Sequence, residues 1–353
     1  MKLWQIVALV LAGVLYGKLQ PGELTYAFGH ATLYVLLPAL LFEAAWNLHY
    51  RAMLRALPAI ATLAVPGVLL TALLIAGALA VARIPIATGL LAGAILAATD
   101  PIAVVAVFKR MRVPMLLRTI VECESLFNDA VAVALYTAVL TGSVLGGALE
   151  AVAGSLGGIA LGIAVAWVAA LLLRNRGSAP LQVVATLLCA YGSYFAAARL
   201  DCSGLFAAIA CGIALRRFER RWVSLRVASD VEGFWELLAL AANAIVFFLV
   251  GAALDVAIVT SVPAFVIAAL AGVFIARIAV AGMLLPAGYP RAWLDVVRVA
   301  GLRGALSLAL AITLPPDVPY RGAIVAATFA VALATIVSSL FTVPPVVRSV
   351  HER

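Results

Sequence analysis

Long apolar runs, separated by short charged or turn-forming segments, recur from one end of the chain to the other. A helix needs about 20 apolar residues to cross the hydrocarbon of a bilayer. On that ruler the runs predict about twelve transmembrane helices, at roughly 3–19, 30–47, 56–82, 86–108, 114–141, 145–173, 180–199, 203–216, 232–254, 259–285, 295–314 and 321–343. The eighth is short and follows a tight turn at 200–204. The runs are continuous and do not alternate with period two, which argues against β-barrel strands. No stretch is left for a soluble domain, so 1–353 reads as a single all-α, polytopic membrane domain.

Composition agrees with the pattern. Apolar residues make up 66% of the 353 residues and charged residues 11%, with a mean hydropathy of +1.16. Soluble domains are about 45–50% apolar and about 25% charged. The four cysteines (Cys123, Cys189, Cys202, Cys211) have neither CxxC nor Cys/His spacing, so no zinc site or disulfide framework is indicated. The N-terminal run is too long for a cleaved signal peptide and lacks a small-residue cleavage site.

The net charge of +8 could suggest a nucleic-acid partner, but its distribution points to the membrane. With both termini on the cytoplasmic side, 17 of the 24 Lys and Arg residues fall in inner segments, among them Lys2, Lys109, Arg112, Arg176, Arg220, Arg221 and Arg353. Only Lys18, Arg83, Arg199 and Arg321 fall in outer ones. That bias is the positive-inside signature of a multi-pass protein in a cell (inner) membrane, and no nucleic-acid partner is expected.

Several charges nevertheless fall within or close to predicted spans: Asp100, Glu122, Glu124, Asp129, Arg277, Arg298 and Arg303. A charge at the middle of a membrane helix costs about 2.5–3.5 kcal/mol on insertion scales, and such residues face a cavity or a partner. For Glu122 and Arg298, near span ends, ion pairing or snorkelling explains them as well as function does. Asp100 and Asp129 sit in polar clusters that packing alone does not call for.

The first cluster is Thr99-Asp100-Pro101. Proline cannot donate its backbone hydrogen bond and crowds the preceding turn, so the fourth span is expected to break here. Broken backbone at membrane depth is tolerated where it lines an aqueous cavity. Carbonyls, the Thr99 hydroxyl and a carboxylate there suit a hard alkali cation. In the second cluster, residues 122–129, Ser125 and Asp129 share a helix face one turn apart. Glu122 is on the same face, on the cytoplasmic approach, as a possible funnel residue. Glu124 points elsewhere, with Asn128 one turn on. The third element is Gly301-Leu302-Arg303-Gly304, whose glycines weaken the eleventh span and permit close backbone approach. Interrupted helices in corresponding positions of two halves point to a transporter site.

These residues resemble the monovalent cation:proton antiporters of the bacterial NhaP type, relatives of the animal sodium/proton exchangers. The matching stretches are ATDPIAVVAVFKR (97–109), ECESLFNDAVAVALY (122–136), FIARIAVAG (274–282) and GLRGALSLALAITLP (301–315). Order, spacing and hydropathy agree over essentially the whole chain. The resemblance implies inverted repeats with two interrupted, crossing helices. It also implies a core bundle (about 56–141 and 259–343) moving against a dimerisation or scaffold part (about 1–55 and 145–254), in a homodimer. It implies that Asp129 is the transport carboxylate, alternately holding cation and proton, with Thr99, Asp100, Ser125 and Asn128 around the cation. It further implies a core ion pair between Glu124 and Arg277, and that Arg303 stabilises the interrupted helix.

The chain departs from the family pattern in four places. The first span resembles the family's second, so the usual first helix is expected to be absent. Ala98 stands where a proline often precedes the Thr-Asp pair, and Cys123 replaces a frequent glycine. No cytoplasmic tail is expected after the last span, and no regulation through one.

Asn128 cannot titrate and a Glu124–Arg277 pair adds no net charge, so exchange of one Na+ (or Li+) for one H+ is expected, electroneutrally. The ions are cargo, and no cofactor is expected. A K+/H+ exchanger of the same fold is the nearest alternative, a cation channel a more distant one. An enzyme is not expected, because His30, His49 and His351 lie near span ends and no nucleophile–base pair stands beside the buried acids.

Overall fold

A computed structural model describes residues 3–19, 32–111, 113–142, 144–174, 178–219, 225–252, 256–284 and 288–352. Lys2, His30, Arg112, Arg176, Arg220, Arg221 and Arg353 lie outside the described residues, as do the ends of three predicted spans (30–31, 253–254 and 285).

The described residues form helices throughout: α1 (Leu3–Leu19), α2 (Thr32–Asn47), α3 (Tyr50–Ala64), α4 (Pro66–Val81), α5 (Ile86–Ala97), α6 (Ile102–Met111), α7 (Met115–Leu140) and α8 (Val144–Leu173) come first. They are followed by α9 (Ala179–Arg199), α10 (Gly204–Glu219), α11 (Leu225–Ala252), α12 (Val256–Ser261), α13 (Pro263–Leu284), α14 (Arg291–Val299), α15 (Ala305–Ile312) and α16 (Arg321–Glu352). Among the described residues seven helices are long and apolar enough to cross a membrane, and three shorter apolar helices accompany them. The protein is a multi-pass, all-α membrane protein.

Several helices overrun the apolar stretches that predicted them. α3 begins at Tyr50 rather than near 56, α11 at Leu225 rather than near 232, and α16 runs on to Glu352. The apolar ruler measures the hydrocarbon, whereas the helix itself continues where arginines and acids can reach water. Pro66 explains the step between α3 and α4: Val65 is the turn before it, and proline at a first helical position needs no donor. The tight turn after α9 holds Asp201 at φ 53°, a left-handed conformation that Asp tolerates better than most residues.

The fourth and eleventh spans are each two half-helices. Pro101 separates α5 from α6, and residues 300–304 separate α14 from α15. The two breaks meet as a single antiparallel bridge between Asp100 and Leu302, in which the Asp100 amide donates to the Leu302 carbonyl at 2.9 Å. Amides and carbonyls freed by one break are thereby partly satisfied by the other, which lets irregular backbone persist inside a membrane bundle.

The chain packs as two compact units. One comprises Met1–Thr32, Ala52–Gly142 and Ala244–Arg353, the other Leu33–Arg51 and Ser143–Asn243. The first holds both breaks, with α4 packed on α5 and α13, and α16 packed on α14, α15 and α6. The second packs α10 against α8, α2 and α9 around Phe42, Trp46, Cys189, Cys211 and Trp235. Apolar helices in lipid gain little from hydrophobicity and depend on close packing. Accordingly, Gly158 and Gly162 of α8 let the carbonyls of Ser203 and Ala207 into the space that a side chain would fill. The π-helical first turn of α2 has its Leu33 and Val35 carbonyls capped by the Tyr194 and Tyr191 hydroxyls, at 3.2 and 2.8 Å.

Candidate functional site

All the residues singled out at the two breaks and on α7 lie in the first unit. The helix α5 ends at Ala97, leaving the carbonyls of residues 98–100 without intrahelical partners. Side chains take over two of them. The Ala98 carbonyl accepts from the Ser307 hydroxyl (3.3 Å) and from Arg303 Nη1 (3.4 Å). The Thr99 carbonyl accepts from Ser125 Oγ at 2.5 Å, while the Thr99 hydroxyl accepts from Asn128 Nδ2 at 3.3 Å. Ser125, Asn128 and Asp129 occupy positions i, i+3 and i+4 of α7, so one helix face meets the break at three points.

Asp129 completes this face. It is half-buried as a residue, but its Oδ1 is fully enclosed and has no hydrogen-bond donor. The Oδ1 of Asn128 is in the same condition, because the amide uses its Nδ2 on Thr99. The charges acting on Asp129 are Asp100, Glu124 and Arg303, and the Thr99 backbone amide faces its carboxylate. Two buried acceptor oxygens without donors, flanked by a helix break, form a site built for a proton or a cation.

Glu124 does something different on the same helix. Arg277 of α13 grips it with two hydrogen bonds, Nη1 to Oε1 at 2.7 Å and Nη2 to Oε2 at 3.2 Å, and both residues are buried. This two-pronged geometry is the strongest ordinary form of charge pairing. The Arg277 side chain occupies the space that a side chain at Gly301 would need. Arg303 is buried between these groups, with Glu124, Asp129 and Arg277 acting on its charge. Its backbone amide donates to Thr335 Oγ1 of α16 at 3.2 Å. Glu122 forms an i, i+4 ion pair with Arg118 at 2.7 Å, and Arg298 pairs with Asp295 at 2.8 Å, both partly exposed.

Sequence reasoning missed Ser307 and Thr335. Ser307 follows Arg303 by one turn, so its shared face was a usable signal; Thr335, one hydroxyl among several in a long apolar helix, offered none. It also missed Arg321, whose Nε and Nη2 donate to the Leu314 and Ile312 carbonyls at 2.9 and 3.0 Å, capping the open end of α15.

Residues 1–349 match the family model described as sodium/hydrogen exchanger, transmembrane. The chain is 34% identical over 338 residues to the Na(+)/H(+) antiporter ApNhaP of Aphanothece halophytica, covering 89% of this chain and 64% of that protein. It is 30% identical over 323 residues to the low-affinity Na(+)/H(+) antiporter NhaS1 of Synechocystis sp., covering 86% of this chain and 61% of that one. The chain therefore spans less than two thirds of the length of either relative. Its fold is similar to that of the sodium proton antiporter MjNhaP1 from Methanocaldococcus jannaschii, with a TM-score of 0.81 at 21% identity, covering 98% of this chain and 92% of the other. The bridged helix breaks, the buried acids beside them and these matches lead to one conclusion: the chain belongs to the sodium/hydrogen exchanger family of membrane transporters.

Proposed function

We propose that this chain exchanges Na+ (or Li+) for H+ across the membrane, with Asp129 as the group that holds each in turn. The observation that carries this reading is the enclosed, donor-free Oδ1 of Asp129, beside the equally donor-free Oδ1 of Asn128 and the Thr99 break. A buried anionic oxygen without a donor is costly, and binding either a proton or a hard cation relieves that cost. The two therefore compete. At low pH the proton occupies the carboxyl; at higher pH the cation does, with Thr99, Asp100, Ser125 and Asn128 completing its surroundings.

Coupling needs only that the neutralised site crosses between inward- and outward-open states while the empty, charged one does not. Glu124 is already committed to Arg277 and Asn128 has no proton to lose, so Asp129 is the single carrier and exchange is one for one and electroneutral. Arg303 holds the interrupted helix, and Glu122, balanced by Arg118, stands on the cytoplasmic approach. The relatives are named Na(+)/H(+) antiporters, which supports the same cargo. The reading extends to an elevator-like motion of a core bundle (56–141 and 259–343) against a scaffold (1–55 and 145–254), with inverted repeats. It further extends to a homodimer in the cell (inner) membrane with both termini cytoplasmic.

The test is cation-driven dissipation of a pH gradient by the purified chain in liposomes, with Li+, Na+ and K+ compared across pH. Exchange with Na+ and Li+, its apparent KM rising as pH falls and lost in Asp129→Asn, is the expected result. Intact exchange by Asp129→Asn overturns the assignment, and a current that scales with membrane potential overturns the one-for-one stoichiometry. Preference for K+ replaces the cargo, and cation flux without proton counter-transport would mean a channel.

A further inference from the structure

We infer that Gly304 is a positioning residue for Asp100: the absence of a side chain at 304 is what allows the Asp100 carboxylate to stand at the crossing of the two breaks. The inference rests on the exchange reading above and adds to it a residue whose part in the site is purely steric.

Gly304 immediately precedes the first residue of α15 and has φ −129° and ψ −157°. Any L-residue can adopt that extended conformation, so the backbone does not demand glycine here. Space does. A Cβ at 304 would lie 2.8 Å from Asp100 Cγ and closer still to Asp100 Cβ and Oδ2. The carboxylate oxygen could swing aside, but the Asp100 Cβ moves only with its backbone.

That backbone is held on every side. The Asp100 amide is bonded to the Leu302 carbonyl, the Thr99 carbonyl to Ser125, the Thr99 hydroxyl to Asn128, and the Ala98 carbonyl to Ser307 and Arg303. Residue 304 is itself tied to α15, since its carbonyl accepts the Leu308 amide at 3.4 Å. A methyl group at 304 therefore has to displace the Asp100 carboxylate or separate the two breaks. The charges facing Asp129 are Asp100 from one break, Arg303 from the other and Glu124 on its own helix, with Arg277 acting on Arg303. Moving Asp100 alone unbalances that set while leaving the Glu124–Arg277 grip in place.

The test is Gly304→Ala in the full chain, reconstituted in liposomes. Overpacking a closely fitted site is expected to raise the apparent Na+ KM by about tenfold and to move the pH of half-maximal exchange, with the maximal rate affected less. Gly77→Ala is the control: nothing lies within 4 Å of the added methyl, so KM and pH profile stay those of the wild type. If Gly304→Ala does not accumulate as folded protein, the double variant Gly304→Ala, Asp100→Gly removes the three atoms nearest the methyl and should restore accumulation. Wild-type KM and pH profile in Gly304→Ala overturns the inference, as does a double variant no better folded than the single one. Failure of the wild-type protein to exchange at all is a separate outcome and strikes the exchange reading itself.

Discussion

The two packed units use the same solvent in opposite ways. In the unit of Leu33–Arg51 and Ser143–Asn243 the helices are continuous, and among the described residues no charged side chain is buried. Its interior is aromatic rings, alanines and thiols, with Trp235 Nε1 donating to Thr186 Oγ1 at 3.0 Å. Its ion pair of Arg216 with Glu232 is partly exposed, and the Arg216 guanidinium covers the face of Trp46, 5.1 Å from its ring centre. The other unit breaks two helices and buries Glu124, Arg277 and Arg303 beside them. One unit maximises contact and the other maintains charge where hydrocarbon opposes it. Since buried charge is expensive and packing is not, the expense marks where ion chemistry belongs.

This contrast can be broken, starting with the largest effect. Asp129→Asn keeps the shape of the site but removes the group that titrates, so cation-driven proton flux in liposomes should fall to background while the protein remains folded by size-exclusion chromatography. Retained flux would mean that the costly unit is costly for structural reasons alone. Next, Arg277→Gln leaves Glu124 buried without its partner and should destabilise the fold by about 3–5 kcal/mol, read as a drop in thermal unfolding temperature. Adding Glu124→Gln to it should recover much of that loss, because the orphaned charge is gone; no recovery would deny the pair its electrostatic role.

On the packing side, Trp235→Ala opens a hole in the second unit and should cost about 3 kcal/mol of stability with the apparent Na+ KM unchanged. A KM shift from that substitution would blur the division of labour. Smallest of all, Glu232→Gln removes a partly exposed ion pair and should change stability by about 1 kcal/mol or less, less still in high salt. A large effect would show that this unit, too, depends on charge.

The legibility of these features follows their range along the chain. Both breaks were readable, because each is marked locally, by proline at 101 and by two glycines around an arginine at 301–304. The shared face of Ser125 and Asp129 was readable from helical spacing. The Arg277–Glu124 grip spans 153 positions and was available only through family resemblance, since no local rule pairs residues so far apart. Thr335 under the Arg303 amide was not readable at all. The helix ends beyond the apolar runs, at Tyr50 and Leu225, escaped because hydropathy reports the membrane and not the helix.

By itself, then, the sequence determined the all-helical membrane class, the two interruptions and the chemical types of the residues around them. Each of those depends on interactions within a few turns of one helix or on transfer of a whole segment into lipid. Only the tertiary structure decided which acid is paired and which is left open. Glu124 and Asp129 are both carboxylates on one helix in the same hydrocarbon. They differ because Arg277 reaches one of them, while the bridged breaks leave an oxygen of the other without a donor.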